Sequence, residues 1–172
     1  LTGEELVYDN IAKQIGIDKK TVISWISILE ASNIVYLLQP YFENSLSKRI
    51  VKRPKIYFRD TGLACYLAKL SDSKNLSISH FSGHFVETYV INEIIKSYEN
   101  TNTHAEFFYY RDNEQNEIDL IILKNGELSF IEIKSGMSFS KSDVKAFSKL
   151  EKSKYRIRES AILCLTDSVY KI

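Results

Sequence analysis

Cysteine is scarce in this chain. It occurs twice in 172 residues, at Cys65 and Cys164, each inside an apolar run. That excludes a disulfide framework and a cysteine-based zinc site, and leaves buried free thiols of a reducing compartment as the expectation. The three histidines, His80, His84 and His104, lack metal-ligand spacing. The six glycines form no G-x-x-x-x-G-K-[ST] loop, so the chain itself does not cradle ATP phosphates. No apolar run reaches the roughly 18–20 residues that a bilayer span takes, and no signal peptide opens the sequence. A soluble, cytoplasmic protein with no membrane partner is expected. Charge of one sign is lacking too: 23 basic residues balance 22 acidic ones, for a net +1. Any argument for nucleic acid must therefore come from local clustering. Leu1 stands where an initiator methionine would, which points to part of a longer protein.

What is present is enough apolar material for real cores: 44% of residues are hydrophobic and 12% aromatic. The length fits one large or two small domains. The serine-rich stretch Ser71–Ser82 reads as a linker between residues 1–72 and 82–172. In the first part, Asn10 can cap a helix that Gly16 ends, with Ile11, Ala12 and Ile15 on one face. Asp18 can cap a second helix, where Val22, Ile26 and Leu29 recur at helical spacing and Trp25 is expected in the core. Strand-like runs follow at Ile34–Leu38, Pro40–Phe42 and Lys55–Phe58, and Asp60 caps a helix through Leu70. Two helices across a glycine turn, then a β-hairpin, is winged-helix order. The second part reads as a helix with Phe85, Tyr89, Ile94 and Tyr98 in a stripe, then strands at Glu106–Arg111, Glu117–Leu123 and Leu128–Lys134. Tyr109 and Tyr110 fit strand packing. A helix follows from Ser140 or Ser142, with Val144, Phe147 and Leu150 on one side. A buried strand at Ser160–Leu165 closes the pattern.

Asn125-Gly126 between two alternating apolar runs is a strong hairpin signal. A two-residue loop sets Lys124 opposite Glu127. Counting back, Leu120 faces Ile131, Asp119 faces Glu132, Ile118 faces Ile133 and Glu117 faces Lys134. Two carboxylates facing each other across a ladder repel. A hard divalent cation such as Mg²⁺ would relieve them, and Lys134, on the same face, could stabilise charge developing on a phosphate. The plain alternative is an exposed polar face with a Glu117–Lys134 ion pair.

The order Gly83-His-Phe-Val-Glu87, Asn116-Glu-Ile-Asp119-Leu-Ile-Ile and Ile131-Glu132-Ile-Lys134-Ser-Gly resembles the PD-(D/E)xK nuclease-like superfamily. That resemblance implies Glu87, Asp119 and Glu132 as ligands of Mg²⁺ or Mn²⁺, with Lys134 completing the catalytic set. Ile118 stands where the family name has proline. The longer run Arg53-Pro-Lys-Ile-Tyr-Phe-Arg-Asp60-Thr-Gly-Leu-Ala, with Gly83-x-x-x-Glu87 and Tyr110-Arg-Asp, is similar to the C-terminal region of a large prokaryotic AAA-type ATPase family. The resemblance covers nearly the whole chain. It implies an α/β (α+β) architecture: an N-terminal winged helix-turn-helix followed by a restriction-endonuclease-like mixed sheet flanked by helices. ATP would bind only in a preceding nucleotide-binding module, which would also be a partner of this chain.

Two basic clusters could meet DNA phosphates. Lys48, Arg49, Lys52, Arg53, Lys55 and Arg59 fall in a stretch with no acid. Lys141, Lys145, Lys149 and Lys152 recur at α-helical spacing, as one basic stripe. Each could equally be solvated surface, and the first could instead dock the ATPase module. Three functions remain open: Mg²⁺-dependent hydrolysis of DNA phosphodiesters, a non-catalytic module that binds nucleic acid or a partner for the ATPase, or a structural or oligomerisation domain.

Overall fold

The computed structural model describes residues 2–42, 53–70, 72–151 and 153–169. The chain divides into two compact units: Leu1–Leu38 with Arg53–Thr88, and Gln39–Lys52 with Tyr89–Ile172. The fold is mixed α/β, and among the described residues no helix is long and apolar enough to cross a membrane.

The first unit opens with β1 (Glu4–Glu5), α1 (Tyr8–Ile15) and α2 (Lys19–Ala31). Helix α1 starts earlier than expected: Val7 is its N-cap, and Asn10 lies inside the first turn. Gly16 ends it at φ 72°, a left-handed conformation that glycine adopts without steric cost. Asp18 caps α2 by accepting the Thr21 N–H at 3.0 Å. The strands β2 (Val35–Pro40) and β3 (Lys55–Phe58) pair antiparallel, and β1 adds to the other side of β3. Leu6, Ile11, Ala12, Val22, Ile26, Val35 and Ile56 form one core beneath them. Trp25 is not part of it; the side chain is 53% exposed. It lies on the flank of the stripe Val22, Ile26 and Leu29, just beyond the reach of the sheet.

Asp60 caps α3 (Thr61–Leu67) through the Leu63 N–H at 3.0 Å. The stretch Ser71–Ser82 lies within this unit and holds the short helix α4 (Ser73–Ile78), capped by Asp72. Helix α5 (Ser82–Asn100) follows.

In the second unit the last residues of β2, Gln39 and Pro40, run parallel to β4 (Glu106–Arg111). From there β4, β5 (Glu117–Lys124) and β6 (Glu127–Ile133) form an antiparallel meander. The edge beyond β6 is shared by β7 (Arg156–Ile157) and β8 (Ala161–Leu163), both parallel to it. The closing strand is thus an edge strand. It is shorter than expected, with Ala161 and Leu163 exposed rather than buried. Tyr41, Tyr110, Ile118, Ile121, Leu128, Phe130, Ala146 and Leu150 make the core.

The β5–β6 turn is as expected, with Asn125 at φ 52° and Gly126 at φ 75°, the twisted turn that suits antiparallel strands. The register runs from Lys124–Glu127 back to Leu120–Ile131 and stops there. The expected pairings Ile118–Ile133 and Asp119–Glu132 lie beyond its end, and here β5 carries a β-bulge against β4 on its other side. Phe108 partners Ile121, but Tyr110 partners Ile118, so β5 takes three steps where β4 takes two. This is why Ile118 and Ile121, of opposite parity, sit in the same core.

Between β6 and β7 the expected α-helix is a 3-10 helix, Lys141–Leu150. Side chains three apart eclipse in that geometry. Val144, Phe147 and Leu150 line one side, with Phe147 packed 5.4 Å from Phe130 between ring centres. Ser142, Lys145 and Ser148 are all exposed on another. The single stripe of Lys141, Lys145 and Lys149 does not form, because residues four apart lie a third of a turn apart here.

Replacing Gly126 by alanine should cost about 1–2 kcal/mol, since a Cβ must then sit at positive φ; urea unfolding measures it, and an unchanged midpoint would mean the turn relaxes to another type.

Candidate functional site

The bulge places Asp119 at the end of the β5–β6 ladder. There its Oδ2 accepts the Ile133 N–H at 2.7 Å, a bond the strand partner would otherwise supply. Glu132, the neighbour of Ile133, is buried, with 7% of its surface exposed. Its Oε1 accepts from Lys134 Nζ at 2.7 Å, while its Oε2 is buried with no hydrogen-bond partner among the described residues. An ionised oxygen in that position is costly, as buried charge demands pairing. Burial accordingly raises the Glu132 pKa; the Lys134 hydrogen bond and charge oppose this, and the negative charges of Glu117 and Asp143 add to it.

The Lys134 pKa is raised as well. Burial disfavours its charge, but the hydrogen bond with Glu132 and the charges of Glu132, Asp119 and Asp143 together hold its pKa above the ordinary lysine value. The same upward shift has opposite meanings: at Glu132 burial favours the neutral acid, while at Lys134 the neighbouring anions favour the charged ammonium. Asp143 stands 3.6 Å from Lys134 Nζ through Oδ1, and Glu117 lies 3.5 Å from Arg111 Nε. Asp143 escaped sequence reasoning, although Ser140-x-x-Asp143 directly after the E-x-K strand is a visible capping-box signal.

Glu87 lies on α5 in the first unit. Its Oε1 accepts from Lys55 Nζ at 2.9 Å and from Tyr57 OH at 2.6 Å. Lys55 and Tyr57 alternate on β3 and so share a face. Lys55, expected at a nucleic-acid surface, is 4% exposed and committed to this pair. The other basic residues scatter. Arg53 reaches Glu5 at 3.8 Å, and the Arg59 guanidinium stacks over the Tyr36 ring at 5.0 Å. Lys48, Arg49, Lys52 and Lys152 fall outside the described residues. Lys141 and Lys145 are exposed, and Lys149 pairs with Glu114 at 3.1 Å. Among the described residues no group of three or more histidine, cysteine or acidic side chains converges as a metal cluster. Asp119 and Glu132, with hard oxygens and one of them unpaired, are the donors that suit Mg²⁺, which is commonly held by one or two carboxylates and keeps several waters.

The domain of unknown function DUF4143 matches residues 82–172, just over half of the chain. The chain belongs to the DUF4143 family. The DUF4143 region contains Glu87, Asp119, Glu132, Lys134 and Asp143, while residues 1–74 match a second domain of unknown function, DUF8612. Uncharacterised proteins of Mycobacterium tuberculosis and Mycobacterium bovis are each 28% identical over 124 residues, 72% of this chain. The match spans only 27% of each of those relatives. No solved structure matches this DUF4143 chain.

Removing one partner of a buried pair strands the other. Lys55→Met should therefore lower stability by about 3–5 kcal/mol in urea unfolding, and a loss under about 1 kcal/mol would show Glu87 reaching water. The stability contributed by the raised Glu132 pKa is complete below its unfolded value and is lost as pH rises through the folded one. Glu132→Gln should then raise the urea midpoint near neutral pH and flatten its fall across weakly acidic pH; a lower midpoint at neutral pH would show that the Lys134 pair outweighs the burial.

Proposed function

We propose that this chain is the C-terminal part of a prokaryotic AAA-type ATPase, a winged helix joined to a restriction-endonuclease-like domain that hydrolyses DNA phosphodiesters with Mg²⁺. The helix–glycine turn–helix order of α1 and α2, followed by the β2–β3 ladder, supports the winged helix. The mixed sheet behind α5, carrying Asp119 and Glu-x-Lys on neighbouring strands, supports the nuclease-like domain.

The observation that carries the reading is Glu132 Oε2: a buried acid oxygen with no partner among the described residues, on a carboxylate whose lysine also feels the charge of Asp119. Structural burial alone does not explain such an atom. Asp119 and Glu132 would hold the ion, with Ile133 N–H orienting the Asp119 carboxylate. The ion would supply an acidified water and a polarised phosphoryl oxygen. Lys134 would offer its ammonium to the negative charge that develops on the phosphate. Arg53 and Arg59 remain as phosphate contacts in the first unit, and Lys141 and Lys145 in the second.

A second reading, a DNA- or partner-binding module without turnover, is favoured by one fact: Glu87 and Glu132 already have internal lysines. Plasmid and single-stranded DNA incubated with Mg²⁺, Mn²⁺ or EDTA separate the two. Cleavage that needs metal and falls about a hundredfold or more in Asp119→Ala is the expected outcome. Salt-sensitive binding without cleavage would leave only the second reading, and neither would sink both.

A further inference from the structure

We propose that Asp143 is a positioning residue: it receives the Lys134 ammonium when a divalent cation enters the Asp119–Glu132 pair. The proposal rests on the cation reading above and adds a residue to it. Lys134 Nζ lies 2.7 Å from Glu132 Oε1 and 3.6 Å from Asp143 Oδ1. It sits where the charge of an arriving ion would be felt most. Like charges a few ångströms apart repel strongly at the effective dielectric of a protein surface, and a divalent ion doubles that repulsion. Lys134 must therefore leave Glu132 as the ion arrives, and the ease of binding depends on where the ammonium goes.

Asp143 is built to take it. Its Oδ2 accepts from Ser140 N–H at 2.6 Å and from Ser140 Oγ at 3.1 Å. The first of these is one half of a capping box at the start of the 3-10 helix, whose other half is the Asp143 N–H donating to the Ser140 side chain, so the turn fixes the carboxylate. The other oxygen, Oδ1, is the one that faces Lys134. Among the described residues, Lys134 is the one cation within ion-pair distance of Asp143. Glu117 has Arg111 at 3.5 Å and is less suited to the task. A small rotation about the end of the lysine side chain carries Nζ from one acceptor to the other.

Isothermal titration of the chain with Mn²⁺ alone tests this in wild type, Asp143→Asn, Lys134→Gln and the double variant. Asparagine keeps an oxygen for the Ser140 N–H, so the cap survives while the charge goes. Asp143→Asn should weaken Mn²⁺ binding about tenfold or more while Lys134 is present, because coupled neighbours are non-additive. Lys134→Gln should bind more tightly than wild type. In that background Asp143→Asn should cost no more than about threefold, the remainder of a screened charge. Ser140→Ala loosens the same cap and keeps the charge; it should stay within about threefold of wild type, since one of its two bonds to Asp143 remains. Equal losses in both lysine backgrounds, or a Ser140→Ala loss as large as that of Asp143→Asn, overturn the proposal. Wild type that binds while Asp143→Asn is unchanged overturns this proposal alone. Wild type that binds no Mn²⁺ overturns the cation reading and this proposal with it.

Discussion

A carboxylate sunk into the protein with one ammonium beside it is the constraint around which the second unit is arranged. Glu132 has no water-facing side to relax toward, so each neighbour is defined by what it does to that charge. Lys134 answers it directly, and Asp143 and Glu117 oppose it. Asp119 accepts the N–H of Ile133, the residue that follows Glu132. Carrying such a group costs stability, which is the pattern of a residue kept for a task rather than for packing.

The same accounting separates Glu132 from the half-buried Glu87. Around Glu87 a lysine and a tyrosine hydroxyl converge on one oxygen, and no atom of the three is left orphaned. Such a trio braces a strand against a helix. Around Glu132 the count fails by one oxygen. Both acids follow from the same kind of sequence signal, a glutamate in an apolar setting, so hydrogen-bond completeness rather than residue type distinguishes brace from site.

Signals with local causes were legible in the sequence. Asn125-Gly126 specified its turn because both positions need positive φ, and Asp18 and Asp60 specified helix starts because each offers an oxygen to an unpaired N–H. What was hidden depended on tertiary geometry. Ile118-Asp-Leu-Ile121 alternates like any strand, and only its pairing with β4 shows the extra residue. Trp25 has a helical neighbour at each core position, yet the sheet does not extend over it. Lys55 looked like one cation of a basic cluster until Glu87 claimed it. The 3-10 helix did leave a clue: Val144, Phe147 and Leu150 fall at a spacing of three, which an α-helix does not favour for a buried face.

The bulge in β5 also limits how this stretch could drift. It holds one residue beyond what regular pairing with β4 requires, and that surplus is what brings Ile118 into the core and frees Asp119 from the ladder. Losing a single residue there would let the strand zip flush against its neighbour, giving a longer and more regular sheet while turning the aspartate to another face. A deletion there would thus trade the acid's placement for a more regular sheet, so the irregularity marks where strand pairing and the position of Asp119 come apart.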